Sequence, residues 1–131
     1  MATIVIDFDG TIVEHEFPRI GPLKPNVIAA LRQLKADGHY LVLWTCREDH
    51  PFLSDQSYLS DAVNFMKSHG IEFDAINKSL PLEKEGDWRK HTLRRKPHGH
   101  IYIDDCNLGG LPIDDWDEIY HMINRQLNVI E

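Results

Sequence analysis

The chain has few cysteines, few basic residues and no long apolar run, and each shortage excludes a class of protein. Only Cys46 and Cys106 are present among 131 residues, too few for a disulfide framework, so a reducing compartment such as the cytoplasm is the expected location. No apolar stretch approaches the length needed to cross a bilayer, so no membrane partner is expected. The N-terminus opens directly on the strand-like run Thr3–Phe8 and lacks the zones of a signal peptide. Lys and Arg number 14 against 21 Asp and Glu, a formal charge of −7. That balance makes nucleic acid an improbable partner, because its binders carry a basic face. An enzyme acting on phosphate stays open, since a bound cation can neutralise clustered acids.

What is present suits one globular domain spanning residues 1–131. Hydrophobic residues make up 42% of the chain, enough for a packed core. Strand-like and helix-like segments alternate without repeat or linker, which predicts an α/β domain with a mainly parallel sheet. Thr3–Phe8 and Tyr40–Thr45 are nearly unbroken apolar runs, as in strands covered on both faces. Phe73–Asn77 and His100–Asp104 are shorter candidates.

Helical stripes separate these strands. Val27, Ile28, Leu31 and Leu34 follow Pro25 and stop at Gly38. Tyr58, Leu59, Ala62, Val63 and Met66 follow Ser54 as a cap and stop at Gly70. Trp116, Ile119, Tyr120, Ile123 and Leu127 begin near Asp114. Residues 15–23 read as a flap or hairpin. Residues 82–95 are charged and contain Gly86, so any helix there is short or irregular. The basic residues Arg89, Lys90, Arg94, Arg95 and Lys96 read as a solvated face.

The chemistry gathers where strands end. Asp7 and Asp9 follow the first strand, Thr45 ends the second long one, and Asp104 and Asp105 follow the last. In an open parallel sheet the carboxyl ends of the strands form the ligand crevice. If strand alternation persisted, Asp7 and Asp9 would face the same side. Gly10 lets the chain turn and bring its amides near an anion. Crowded carboxylates need a counter-charge, and an oxygen-only site suits Mg²⁺. The plainer reading of Asp9-Gly10 is a turn after a strand. His98 and His100 lack companion ligands at metal spacing and read as structural. Cys46 is read as a packing residue, with a redox-sensitive thiol the alternative, and nothing marks Cys106 as a nucleophile.

Asp7-Phe-Asp-Gly-Thr11, Thr45 and Ile103-Asp104-Asp105, in this order, resemble the haloacid dehalogenase superfamily of phosphatases. The resemblance implies a three-layer, Rossmann-like domain and an aspartyl-phosphate mechanism acting on a phosphate monoester. Asp7 would be the nucleophile and Asp9 the acid/base. Mg²⁺ would be held by Asp7, the Asp9 carbonyl and Asp104, supported by Asp105. Thr45 and a lysine would bind the phosphoryl group. Neither gap between motifs holds a second domain, so the chain resembles the capless members.

Lys96-Pro-His-Gly-His-Ile-Tyr-Ile-Asp-Asp105 is similar to a stretch of small capsule and polysaccharide phosphatases. Thr45-Cys-Arg-Glu48 is similar to a motif of polynucleotide 3′-phosphatases. The acidic charge favours the first comparison, hence a phosphorylated sugar or other small molecule. Lys96 is preferred over Lys78 as the phosphate-site lysine, and Arg47 and Arg19 are candidate substrate contacts. A receiver-like signalling domain and a catalytically silent phosphate binder are the rival readings. A receiver would place its paired acids first in the chain and its phosphorylated Asp later, the reverse of this order. A homo-oligomer is left open.

Overall fold

The computed structural model describes residues 1–80 and 97–130. Residues 82–95, the basic run Arg89 to Lys96 and Lys96 itself lie outside the described residues. Four strands, β1 (Thr3–Ile6), β2 (Tyr40–Leu43), β3 (Ala75–Ile76) and β4 (Ile101–Ile103), form one sheet in the order β3-β2-β1-β4. Every pairing is parallel. The helices are α1 (Val27–Ala36), α2 (Tyr58–Ser68) and α3 (Trp116–Ile130).

Strand alternation divides the core. Ile4, Ile6, Leu41, Leu43, Ile101 and Ile103 pack in one cluster with the buried faces of α1, α2 and α3. Val5, Val42 and Ala75 face the other way and pack with Trp44 and Leu80. Val5 and Val42 are buried too, so both faces of the central strands are covered. That explains the unbroken apolar runs. The domain is therefore α/β with an all-parallel central sheet, the Rossmann-like three-layer class.

Helix limits follow the sequence signals, with one correction. Gly38 and Gly70 stand just past α1 and α2 with φ of 92° and 79°, a conformation that costs glycine nothing. Asp115 caps α3 by accepting from the Asp117 amide at 3.0 Å. Ser54, expected to cap α2, instead starts a 3₁₀ turn (Ser54–Gln56), and α2 begins at Tyr58. The α2 N-terminus is served by a distant residue: Asp49 accepts from the Ser60 amide at 2.9 Å and from its hydroxyl at 2.5 Å.

The flap is a hairpin. Val13 pairs antiparallel with Leu23, Glu14 donates to the Pro22 carbonyl and Lys24 to the Ile12 carbonyl. Lys24 pins its base between Glu14 and Asp114, at 3.4 and 2.9 Å. Among the described residues, the β1–β2 connection holds this flap and α1, and the β2–β3 connection holds the 3₁₀ turn and α2. Neither contains a cap domain. No described helix is long and apolar enough to cross a membrane.

Candidate functional site

Register sets the site. Ile6 lies opposite both Leu43 and Ile103, so the residues that follow, Asp7, Trp44 and Asp104, emerge side by side at the carboxyl edge. The chain leaves β1 for β2 and β3 on one side and returns to β4 on the other, which makes the β1/β4 gap the topological switch point. A cleft of about 170 Å³ opens there, lined by Val5, Asp7, Trp44, Tyr102, Ile103, Asp104 and Asn107.

Among the described residues, Asp7 is the most perturbed group. Its carboxyl is raised from 3.8 to about 8 in all, chiefly by burial and partly opposed by a hydrogen bond from the Phe8 amide. The Asp104 charge, a hydrogen bond with Asp105 and the Asp105 charge contribute to the rise. Two carboxyl groups at hydrogen-bond distance cannot both ionise cheaply without a cation. One oxygen each of Asp104 and Asp105 and the Cys106 sulfur lie within 4.8 Å of one another. The Asp105 and Asp104 charges raise the Cys106 thiol above its ordinary value, which disfavours the thiolate that binds a metal. The donors left are carboxylate oxygens, which fit a hard divalent ion.

Asp105 is itself fixed. Its amide donates to Thr11 Oγ1 at 3.0 Å, and that hydroxyl donates to Asp105 Oδ1 at 3.4 Å. Thr11 is fully buried, and its carbonyl accepts from Trp116 Nε1 at 2.9 Å. Gly10 has φ 82°, and a Cβ there would sit 2.1 Å from Asp105 Oδ2. Gly10 thus makes room for Asp105 as well as turning the chain. Thr11 and Trp116 were not among the expected site residues. The hydroxyl that closes the Asp7-Phe-Asp-Gly-Thr11 motif was the available signal for Thr11, and nothing local marked Trp116.

Asp9 does not join the carboxylate cluster. β1 ends at Ile6, and the amides of Thr11, Ile12 and Val13 all donate to the Phe8 carbonyl. This tight turn breaks the alternation that would have aligned Asp9 with Asp7. The Asp9 carboxylate instead meets Arg47, with Nε–Oδ2 at 2.7 Å and Nη2–Oδ1 at 2.8 Å. Arg47, considered as a substrate contact from the sequence, is 1% exposed and turned into the protein. Arg19, the other such candidate, has an exposed side chain near Glu16.

Thr45 lies one residue beyond the level of Asp7. Its amide donates to Asn77 Oδ1 at 2.8 Å, and its hydroxyl oxygen accepts from the Arg47 amide at 3.2 Å. Asn77 holds φ 54° and its amide donates to the Leu43 carbonyl, so it ties the ends of β2 and β3 together. Lys78 follows it directly, exposed at that edge. His100 is structural, its Nδ1 accepting from the Thr3 amide at 2.9 Å. Both cysteines are exposed and free.

No family model matches the chain, and neither does any curated protein. Among solved structures, a conserved protein from Bacteroides thetaiotaomicron shares 40% sequence identity, with a TM-score of 0.76. The match covers 95% of this chain and 91% of that one. This chain therefore belongs to the same family as that conserved Bacteroides protein.

Proposed function

We propose that the chain is a Mg²⁺-dependent phosphatase that hydrolyses a phosphate monoester through an aspartyl-phosphate on Asp7. The observation that carries this reading is the crowding of Asp7 with Asp104 and Asp105 at the switch point, where the Asp7 carboxyl is held up to about 8. Such a carboxylate becomes a competent nucleophile only when a cation offsets its neighbours. The order of motifs that resembles the haloacid dehalogenase superfamily supports the same assignment.

Asp7, the Asp9 carbonyl and Asp104 would hold Mg²⁺, with Asp105 supporting from its Thr11 anchor. The ion would screen the carboxylates and neutralise phosphoryl charge. An Asp7 oxygen attacks phosphorus, the ester P–O bond breaks, and the leaving oxygen takes a proton from Asp9. Water then attacks the phosphorus and gives a proton to Asp9, the Asp7–phosphorus bond breaks, and inorganic phosphate leaves. The Thr45 hydroxyl, oriented by the Arg47 amide, would donate to a phosphoryl oxygen. Most of the acceleration in such a site comes from positioning and charge neutralisation.

The substrate class favoured is a phosphorylated sugar or other small molecule, with a polynucleotide 3′-phosphate as the competing class. The test is phosphate release, with Mg²⁺, from sugar phosphates, nucleotides and 3′-phosphorylated oligonucleotides. Asp7→Asn should abolish turnover with the fold intact. Near-normal turnover in folded Asp7→Asn would overturn the mechanism.

A further inference from the structure

Arg47 is the one large cation buried in the described core, and its surroundings are complete. The five N–H donors of its guanidinium are all engaged. Nε donates to Asp9 Oδ2 at 2.7 Å. Nη1 donates to the Pro18 and Tyr58 carbonyls at 3.3 and 3.2 Å. Nη2 donates to Asp9 Oδ1 at 2.8 Å and to the Arg19 carbonyl at 3.0 Å. The rings of Phe8 and Phe17 each approach the guanidinium carbon, with centroids 5.1 Å away. Phe17 in turn packs edge-on to Tyr58 at 5.3 Å. One side chain therefore joins the loop after β1, the flap and the first residue of α2.

A guanidinium with no donor left over cannot bind a substrate phosphate without breaking this set. A bidentate carboxylate contact fixes the plane of Asp9, yet it uses about two of the roughly four lone-pair sites of that carboxylate. The others are left unused by Arg47. We infer that Arg47 is a positioning residue, which orients Asp9 toward the leaving-group oxygen and makes the flap segment Phe17–Arg19 part of the same rigid unit. The inference rests on the phosphatase reading above for its chemistry, while the clamp itself is a property of the fold.

Leaving groups separate positioning from general structure. An alkyl phosphate needs its departing oxygen protonated, whereas 4-nitrophenyl phosphate releases a stable anion and needs little help. The kcat/KM value reports only steps up to leaving-group departure when that departure is irreversible, so it isolates the role of Asp9 in the first half-reaction. General acid catalysis typically contributes on the order of 10²–10⁴-fold. Arg47→Lys, which cannot reproduce a planar bidentate contact, should lower kcat/KM for a sugar phosphate by ~100-fold and for 4-nitrophenyl phosphate by only ~5-fold. Phe17→Ala removes one ring from the exposed side and should give the same asymmetry at ~10-fold and ~2-fold, with little risk to folding. Equal losses on both substrates, or none, in folded protein would overturn the inference.

A second readout does not need activity. By nuclear magnetic resonance, the Arg47 Nε proton should exchange slowly with solvent in the wild type and rapidly in Asp9→Asn. Rapid exchange in the wild type would overturn the clamp. If the wild type hydrolyses neither substrate while the slow proton is present, the phosphatase reading fails and the clamp stands.

Discussion

Replacing Asp7 with Asn should make the metal-free protein more stable, and increasingly so as pH rises. The folded state holds the Asp7 carboxyl at about 8 against 3.8 in the unfolded chain. Between these values the folded state binds the extra proton, so stability is fully present below about pH 4 and is lost as pH rises through about 8. The full displacement corresponds to at most ~6 kcal/mol. Asp7 is partly exposed, so solvent screening reduces the expected effect to ~2 kcal/mol. For a chain of this length that is a rise in Tm of ~6–8 °C at pH 8.5 in chelator. The gain should shrink as pH falls toward 5, because both forms are then neutral in the fold. Differential scanning calorimetry of wild type and Asp7→Asn across pH 5 to 8.5 measures it. Adding Mg²⁺ should stabilise the wild type more than the variant and close the gap. Parallel pH curves for the two proteins would refute the crowding from which the candidate site is argued.

Chelation should abolish phosphate release, Mg²⁺ should restore it and Ca²⁺ should restore it poorly, because the larger ion accepts looser coordination; full turnover with metal shown to be absent would exclude the site as drawn. Gly10→Ala should destabilise by ~2–3 kcal/mol in chemical denaturation, since it combines a positive φ with a Cβ placed against Asp105, and should reduce turnover even where the variant folds. Lys96→Ala should cut turnover severely and Lys78→Ala less so; the reverse ranking in folded variants would make Lys78, at the end of β3, the phosphate-site lysine.

The sequence alone determined the layout of the domain. The apolar runs of β1 and β2, the stripes of three helices and their glycine stops are local signals. Each depends on a period of two or 3.6 residues and on backbone freedom at single positions. The grouping of Asp7, Asp104 and Asp105 was legible for a related reason. Parallel strands with level ends bring distant sequence positions together by topology alone, and the match of Ile6 with Leu43 and Ile103 realises it.

Partnerships that depend on packing were decided only in three dimensions. Alternation could not foretell that the amides of residues 11–13 would fold onto the Phe8 carbonyl and carry Asp9 away from Asp7. Nor could it show that Arg47, a long cation beside a predicted site, would be buried between two aromatic rings. A buried arginine needs carbonyls and a carboxylate from separate segments, and no spacing in the chain encodes that set. The same holds for Asp105, whose position depends on the Thr11 hydroxyl and on the space Gly10 leaves open. Sequence placed the acids at one edge of the sheet; side-chain packing determined which of them crowd together and which is held by a cation.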